Sequence, residues 1–448
     1  MNDWQDAESR VERALQLSEA QQWSEALHEL EAAIAINPND PIWHAQRGQI
    51  LDQLENFDSA VDAYRNALEL DPEHIGIKTA LSIDMIRVVR YADAVELLAE
   101  IERMDLNYEP SYCHRVAAYT RMGLHDMAEE MFYLAQQITP ECPNCFHHIA
   151  ESLACRELYS KAIYCWQRAL EIAPDYPQAR QRIAEAYRAQ KLFDKAREAY
   201  LVALRHDPGN PELIAELGDL LIEMDDLPAA TLKFQHLVEM DPQSVHGYAM
   251  LGLIAAQVDD LEKAVRHFES ALMLDEHCPG LRSHIGEVEL RRGNYYDALH
   301  HLSLAIEDEP DDCVARMAMG NCLLELGRPD EAARHFERII ELDADMAGAH
   351  HNLAVCCFLQ NDFDAGIGHC LESLRIEPDN LMAIHKLALA YLHTAKWHEA
   401  RQMIQRGLAL NSEHAGLRSL PKTFIGLRVR NLVRRILPAR LRLRCCRC

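Results

Sequence analysis

Small and apolar residues recur along the chain with a period of 34 residues. Alanine stands at position 26 and returns at every 34th position up to residue 400, with one glycine among the alanines. This column consists of Ala26, Ala60, Ala94, Ala128, Ala162, Ala196, Ala230, Ala264, Ala298, Ala332, Gly366 and Ala400. A fixed period of this length indicates an array in which each repeat is one supersecondary unit.

Further columns keep the same register. A bulky residue follows each alanine by four positions: Leu30, Tyr64, Leu98, Phe132, Trp166, Tyr200, Phe234, Phe268, Leu302, Phe336, Cys370 and Ile404. The eighth position of a repeat is small in Ala14, Gly48, Ser82, Ala150, Ala184, Gly218, Gly252, Gly286, Gly320, Ala354 and Ala388, and Val116 is the exception. Prolines end the repeats at Pro38, Pro72, Pro140, Pro174, Pro208, Pro242, Pro310 and Pro378. Small side chains allow two helices to approach closely where they cross, and proline, which cannot continue a helix, marks the turn into the next repeat.

The combination of small, alanine, bulky and proline columns resembles the tetratricopeptide repeat family. The resemblance covers twelve repeats: 7–40, 41–74, 75–108, 109–142, 143–176, 177–210, 211–244, 245–278, 279–312, 313–346, 347–380 and 381–414. It implies an all-α fold, an α-α superhelix or solenoid over residues 1–414, with the first helix of each repeat lining a concave groove. Residues 415–448 would form a separate tail.

Composition agrees with one continuous folded body. Hydrophobic residues make up 49% of the 448 residues and charged residues 26%, and no glycine- or serine-rich linker interrupts the array. The first thirty residues lack a basic start followed by an apolar run, and no stretch reaches the eighteen or more apolar residues of a membrane span. We therefore expect a cytoplasmic location. The 14 cysteines are irregularly spaced, so we expect reduced thiols rather than a disulfide framework.

Groove-facing positions can be assigned from the resemblance, which implies that positions 2, 5, 9, 12 and 13 of each repeat face the concave side. The central repeats then contribute acids against Arg188 and Arg291, and the last repeats contribute apolar side chains. The acids are Glu151, Glu185, Asp219, Glu223 and Glu287, and the apolar residues are Met317, Phe358, Leu359 and Leu389. Such a surface suits an extended partner segment that carries basic and hydrophobic side chains. Alternatively, the acids are a solvated face and the apolar residues are buried by neighbouring helices.

Motifs for other activities are absent from the sequence. We find no phosphate-binding GxxxxGK[ST] loop, no GxSxG, no HExxH and no GxGxxG after a strand, so we expect no catalysis, no cofactor and no small-molecule substrate. Some tetratricopeptide proteins clamp the acidic C-terminus of a chaperone with lysines and asparagines. Position 5 holds no lysine in any repeat, and Asn321 and Asn352 stand without such partners.

One cluster has the spacing of metal ligands. Cys142, Cys145, His147 and His148 lie at the junction of the fourth and fifth repeats and offer thiolate and imidazole ligands. A zinc site commonly draws its four ligands from two such pairs, however, and the other CxxC spacing, Cys445–Cys448, lies far along the chain in the basic tail. A redox-active thiol at a helix N-terminus, and ordinary cap and core residues, remain alternatives.

The tail reverses the charge of the array. Residues 415–448 contain ten basic residues and no acidic one, among them Arg428, Arg430, Arg434, Arg435, Arg440, Arg442 and Arg444. A helical pattern of apolar residues between 422 and 437 favours a helix that caps the last repeat or lies on an anionic membrane. Acylation or prenylation near Cys445, Cys446 and Cys448, nucleic-acid binding, and folding of the tail into the acidic groove are further alternatives.

Two functions follow from these patterns. The first is a non-catalytic protein-interaction scaffold or co-chaperone that binds extended or helical segments of partner proteins. The second is a membrane-peripheral assembly or targeting factor docked through the basic tail. A regulatory subunit of an enzyme complex is a third possibility, and we do not expect nucleic acid to be a partner, because the acidic array would repel phosphates.

Overall fold

The computed structural model describes residues 3–176 and 178–420. These residues form twenty-four α-helices and no strand, and residues 415–420 begin a further helix. The prediction of an all-α fold is therefore confirmed. In the described part of the chain, no helix combines the length and the apolar character that crossing a membrane requires.

The chain divides into two compact units, Met1–Asp226 and Leu227–Cys448. The helices of the first unit are α1 Asp3–Glu19, α2 Trp23–Ile36, α3 Pro41–Gln53, α4 Phe57–Leu70, α5 Ile75–Arg87, α6 Tyr91–Met104, α7 Glu109–Arg121, α8 His125–Ile138, α9 Pro143–Cys155, α10 Tyr159–Ile172, α11 Ala179–Ala189, α12 Phe193–His206 and α13 Pro211–Glu223. Odd-numbered helices are the first helices of the predicted repeats, and even-numbered helices are the second.

The helices of the second unit continue the alternation. They are α14 Leu227–Met240, α15 Val245–Gln257, α16 Leu261–Leu274, α17 Leu281–Arg292, α18 Tyr295–Asp308, α19 Cys313–Glu325, α20 Pro329–Leu342, α21 Ala347–Leu359, α22 Phe363–Ile376, α23 Leu381–His393 and α24 Trp397–Leu410. The helices of both units therefore follow one another in the register that the sequence columns predict.

Helix starts follow from capping chemistry. The side-chain oxygen of Asp40 accepts hydrogen bonds from the backbone N–H groups of Ile42 and Trp43 at 2.9 and 3.4 Å, and Pro41 occupies the first helical position. Asn210 likewise caps α13. These residues satisfy N–H groups that have no partner within the helix, which explains why first helices begin where they do.

The turn inside each repeat requires one residue with positive φ. The residues concerned are again 34 positions apart: Gln21, Glu55, Val89, Gly123, Glu157, Lys191, Asp225, Asp259, Gly293, Gly327, Asn361 and Ala395, with φ between 58° and 81°. Glycine adopts this conformation without strain, whereas other residues do so at a cost. The turn is therefore imposed by the packing of the two helices rather than by its own sequence.

Small residues face bulky ones inside each repeat, as the columns predict. A Cβ atom at Gly48 would lie 2.7 Å from the Tyr64 ring, closer than real atoms approach. Every residue of the alanine column, from Ala26 to Ala400, is buried. One repeat deviates, because the larger Val116 occupies the small position and Phe132 is only half-buried. The Phe132 ring lies edge-on to Phe146, with 5.5 Å between the ring centroids.

Candidate binding surface of the first helices

The first helices of the first unit line a recess. A cavity of about 500 Å³ lies among α7, α9, α10 and α11, and the side chains around it include Arg121, Glu151, Arg182 and Glu185. A second cavity of about 420 Å³ is lined by Glu185, Arg188 and Glu223, from α11 and α13. Glu185 and Ala189 border both cavities, so the two cavities are adjacent and are described together as a recess between α7 and α13. Three of the acidic residues predicted to face a groove therefore lie in it.

Each of these three acids faces an arginine. Arg121 Nη2 lies 4.0 Å from Glu151 Oε2, Arg182 Nη1 lies 2.8 Å from Glu185 Oε2, and Arg188 Nη2 lies 2.6 Å from Glu223 Oε1. We call these six residues the charge-paired recess. Among these three arginines, the sequence pattern predicts only Arg188 to lie beside the acids. The structure adds Arg121 and Arg182.

The sequence analysis does not identify Arg121 and Arg182, for two different reasons. Arg121 occupies position 13 of the fourth repeat, one repeat before the acids begin, so the spacing alone could have identified it. Arg182 occupies position 6, which the groove-facing positions do not include. Only the structure places its guanidinium group beside Glu185.

The pKa values of the carboxylates in and beside the recess depend on burial and on neighbouring charges. Burial raises the pKa of Glu151, but the nearby His147, His148 and Arg121 outweigh it, and the net pKa lies below the usual value. Burial raises the pKa of Glu216, whose carboxylate accepts a 3.0 Å hydrogen bond from the Gln181 amide. Asp219 is half-buried on the same helix, α13. The carboxylates of the recess and those beside it on α13 therefore lie in distinct environments.

Glu287 belongs to the second unit, where its side chain is exposed on α17. Arg291, one helical turn further along α17, donates to Asp259 Oδ1 at 2.7 Å and to the Ala256 carbonyl at 2.9 Å. Arg291 therefore contacts the preceding repeat.

The four predicted apolar groove residues fall into two classes. Met317, Phe358 and Leu389 are half-buried and pack against the hydrophobic core of the second unit. The Phe358 ring stacks on Phe363, with 6.0 Å between centroids. Leu359 is different, because 56% of its surface is exposed. These four residues therefore differ in exposure, and Leu359 is the one with more than half of its surface open to solvent.

Other exposed apolar side chains accompany Leu359 on first helices of the second unit. Val314 is 56% exposed on α19 and Met382 is 53% exposed on α23. Between these helices, on α21, Asn352 donates a 2.8 Å hydrogen bond to the Asn321 side-chain oxygen. The two asparagines thus partner each other.

The cysteine cluster has a different composition from the one predicted. Cys142 and Cys145 lie with Glu109 and Cys113 of α7, and one potential ligand atom from each of the four residues lies within 4.8 Å of the others. His147 and His148 instead group with Glu151, and His147 Nε2 lies 3.5 Å from the Glu151 carboxylate. The structure therefore divides the four predicted residues between two groups.

The sequence does not indicate that Glu109 and Cys113 join this cluster, because they lie about thirty residues before the CxxC segment. They stand four positions apart, so they share one face of α7. Burial raises the pKa of Glu109 to about 7. In the other group, burial lowers the pKa of His148 to about 4.

The arginines predicted in the tail, Arg428, Arg430, Arg434, Arg435, Arg440, Arg442 and Arg444, lie outside the described residues. The described start of the tail packs on the last repeat, since Leu417 and Leu420 are buried against Ala388, Leu392 and Ile404. The capping helix predicted between residues 422 and 437 lies outside the described residues.

Solved structures with similar helix arrangements were found, although with low sequence identity. One is the APC/C hetero-tetramer Cut9–Hcn1, with 14% identity, 92% of this chain and 95% of that chain covered, and a TM-score of 0.48. Another is yeast Tom70, with 17% identity, 87% and 96% covered, and a TM-score of 0.41. A third is pilF of Pseudomonas aeruginosa, with 15% identity, 48% and 98% covered, and a TM-score of 0.44.

No curated protein sequence matches the chain. Sequence models of the tetratricopeptide repeat match residues 41–74, 177–220, 245–278, 284–345 and 317–380. The matches to 41–74 and 245–278 have the bounds of predicted repeats, and the other matches cover further helices of the array. Repeats of this kind generally serve as non-catalytic scaffolds for protein interactions. The chain belongs to the tetratricopeptide repeat family, with about twelve tandem repeats.

Proposed function

We propose that this chain is a non-catalytic scaffold that binds an extended segment of a partner protein along α7, α9, α11 and α13. The observation that carries the proposal is the charge-paired recess, in which Glu185 connects two cavities. Partly exposed ion pairs contribute only about 0–1 kcal/mol each, so charged side chains of a partner can replace one member of a pair at little cost.

The chemistry of the recess favours a basic partner segment. The cavities are lined by three acids and four cations: Glu151, Glu185 and Glu223, and Arg121, Arg182, Arg188 and Lys191. Glu216 and Asp219 of α13 lie close by, near Glu185 and Arg188, so the carboxylates of this region outnumber its cations by five to four. Surplus carboxylates attract lysine and arginine side chains and accelerate association. Tyr159 also lines the larger cavity, and its half-buried ring offers apolar surface for affinity.

A second contact surface is proposed for the second unit. Exposed Val314, Leu359 and Met382 suit apolar side chains of a partner, and the Asn321–Asn352 pair offers amide groups that can bond to a peptide backbone. Glu287 lies on α17 of the same unit. The co-chaperone role is a narrower form of this proposal, in which one bound partner is a chaperone.

Photocrosslinking tests the recess directly. Ala189 is exposed and borders both cavities, so a photoreactive amino acid in its place should capture the partner segment, which mass spectrometry then identifies. The matched control is the same amino acid at Glu171, which is exposed on the second helix α10. Equal capture at both positions would contradict binding in the recess.

Charge reversal then measures the contribution of the acids. The double variant Glu185→Arg and Glu223→Arg should lower affinity for the captured segment about tenfold or more at low salt, and the difference should shrink as salt increases. The double variant Glu171→Arg and Glu198→Arg, at exposed positions of the second helices α10 and α12, changes the net charge by the same amount and serves as the control. Affinity and salt dependence that match those of the unaltered chain would refute the proposal.

The alternative function, docking to an anionic membrane, is favoured by one observation in the sequence. Residues 415–448 carry ten basic residues and no acidic residue. Each basic residue near an anionic surface adds about 1 kcal/mol of attraction. Flotation with phosphatidylserine vesicles should recover the full chain but not a chain that ends at residue 420; equal recovery of the two would exclude the tail as the anchor.

A further inference from the structure

Four potential metal ligands converge between the first helices of the fourth and fifth repeats. Glu109 and Cys113 belong to α7, Cys142 is the N-cap residue of α9, and Cys145 lies in its first turn. Their ligand atoms lie within 4.8 Å of one another. In a tetrahedral zinc site with Zn–S bonds of about 2.3 Å, two sulfurs are separated by about 3.8 Å. The four groups are therefore close to the spacing of a tetrahedral site.

The cluster is shielded from solvent. Cys113, Cys142 and Cys145 are 2%, 8% and 0% exposed, and Glu109 is half-buried. Phe146 follows Cys145 directly and packs edge-on against Phe132. A buried site with four protein ligands leaves no open position for a substrate, which is the arrangement of a structural metal.

Glu109 lacks a cationic partner within the described part of the chain. No Lys, Arg or His there forms an ion pair with it, and its hydrogen-bond donor is the Cys145 thiol, 2.8 Å from Oε1. Burial of a carboxylate against three thiols is costly when no positive charge is nearby. A divalent cation would supply that charge.

Local backbone geometry prepares the ligands. Glu109 and Cys113 lie one helical turn apart on α7, so both point to the same neighbour. Cys142 Sγ accepts a 3.4 Å hydrogen bond from the Cys145 backbone N–H at the start of α9. The partial positive charge of a helix N-terminus stabilises a thiolate at this position.

We propose that Glu109, Cys113, Cys142 and Cys145 bind one Zn²⁺ ion in a structural site that links α7 to α9. The thiols lose their protons to solvent as the metal–sulfur bonds form, so three thiolates and one carboxylate coordinate the ion. His147, His148 and Glu151 are not ligands of this ion. The site ties the fourth repeat to the fifth, where Val116 and Phe132 depart from the usual packing.

Metal binding is measured on the full chain after reduction and removal of metal with a chelator. Zinc analysis after dialysis should find one equivalent per chain. Co²⁺ added in place of Zn²⁺ should give a thiolate-to-metal charge-transfer band and the intense visible bands of tetrahedral cobalt. A chain with free thiols that binds neither metal would overturn the proposal.

Cys142→Ser is the decisive variant because serine is a good N-cap residue and preserves the start of α9. It should lose the charge-transfer intensity of one thiolate and bind Zn²⁺ at least tenfold more weakly, while circular dichroism stays unchanged. Cys155→Ser, on the same helix but exposed, is the matched control and should bind like the unaltered chain. Equal metal binding by the two variants would refute the site.

Two further variants test the ligand set. Glu109→Gln should weaken zinc binding at least tenfold, and unchanged binding would remove Glu109 from the site. His147→Ala should leave the cobalt spectrum unchanged, and a loss of its bands would show that the imidazole is a ligand instead. Zinc should also raise the unfolding temperature of the unaltered chain but not that of Cys142→Ser.

Discussion

The ring of Phe268 fills the space that a side chain at Gly252 would occupy. A Cβ atom built on Gly252 would lie 2.6 Å from both Cδ1 and Cε1 of the ring, and Phe268 is fully buried. Gly252 lies on α15 and Phe268 on α16, so this contact sets how closely the two helices of the repeat approach. The same pairing recurs in other repeats, as between Gly48 and Tyr64.

Gly252→Ala should therefore destabilise the second unit. The added methyl group must displace a buried ring, and overpacking of this kind costs about 1–3 kcal/mol. The denaturant midpoint, followed by circular dichroism, measures the loss. Gly368→Ala is the control, because its Cβ would have no atom within 4 Å on an exposed helical surface, and it should stabilise by about 1 kcal/mol.

A substitution at the turn residue Val89 should instead raise the free energy of unfolding. Val89 has φ 64° and is 66% exposed, and a β-branched residue is poorly suited to this left-handed conformation. Val89→Gly should stabilise the first unit by about 1 kcal/mol, since relief of strain of about 1–2 kcal/mol exceeds the entropic cost of glycine. The denaturant midpoint again measures the change.

Gly123 provides the matched test of the same position one repeat later. Its φ is 72° and a Cβ atom there would meet no atom within 4 Å, so only backbone strain opposes a substitution. Gly123→Val should destabilise by about 1–2 kcal/mol in the same unfolding measurement. If Val89→Gly and Gly123→Val both leave the midpoint unchanged, strain does not govern these turns.

The register of the array could be predicted from the sequence because its causes recur at fixed positions. A residue that must be small, such as Gly252, and one that must fill the adjacent space, such as Phe268, are set by helix crossing alone. Val116 and Phe132 show the limit of this reasoning. Both are apolar, and only the structure shows that the larger Val116 leaves Phe132 half-buried.

The candidate sites could be predicted only in part, because their contacts cross from one repeat to the next. Glu223 and Arg188 are both placed on the concave side by their positions, but only the structure shows that they pair across two repeats. Cys142 and Cys145 are visible as a CxxC pair, whereas Glu109 and Cys113 join them through the packing of α7 on α9. Helix periodicity predicts the face of a residue and not the neighbour it meets.

A buried hydroxyl gives the third prediction. Ser373 is fully buried on α22, and its Oγ has no hydrogen-bond partner among the described groups. Alanine occupies the equivalent position in several repeats, for example Ala33 and Ala67. Ser373→Ala should therefore stabilise the second unit by about 1 kcal/mol, because an unsatisfied buried hydroxyl is costly.

Ser283→Ala is the control for this prediction, since both serines are buried but Ser283 Oγ donates a 2.7 Å hydrogen bond to Asp312 Oδ2. Its removal should destabilise the same unit by about 1–3 kcal/mol. Thermal unfolding of both variants distinguishes them. A loss of stability in Ser373→Ala would indicate that its hydroxyl has a partner in solution.

The last prediction concerns pH and follows from His335. This side chain is half-buried on α20, its Nδ1 has no hydrogen-bond partner among the described groups, and it lies near Arg316 and Glu331. Burial, reinforced by Arg316, lowers the pKa of His335, while Glu331 acts in the opposite direction. The imidazole is therefore neutral in the folded chain at pH values where it would be protonated in the unfolded chain.

The unfolded chain thus binds more protons at His335 than the folded chain does, and linkage makes the free energy of unfolding decrease as pH falls below the ordinary histidine pKa of about 6.5. The contribution is present in full above that value and is lost progressively towards the lower folded-state pKa. Urea unfolding at pH 7.5 and pH 5.5 should therefore show a smaller loss of stability for His335→Gln than for the unaltered chain. His277→Gln, at an exposed position, should behave like the unaltered chain. Identical pH dependence of all three chains would mean that His335 is protonated equally in the folded and unfolded states, contrary to its burial.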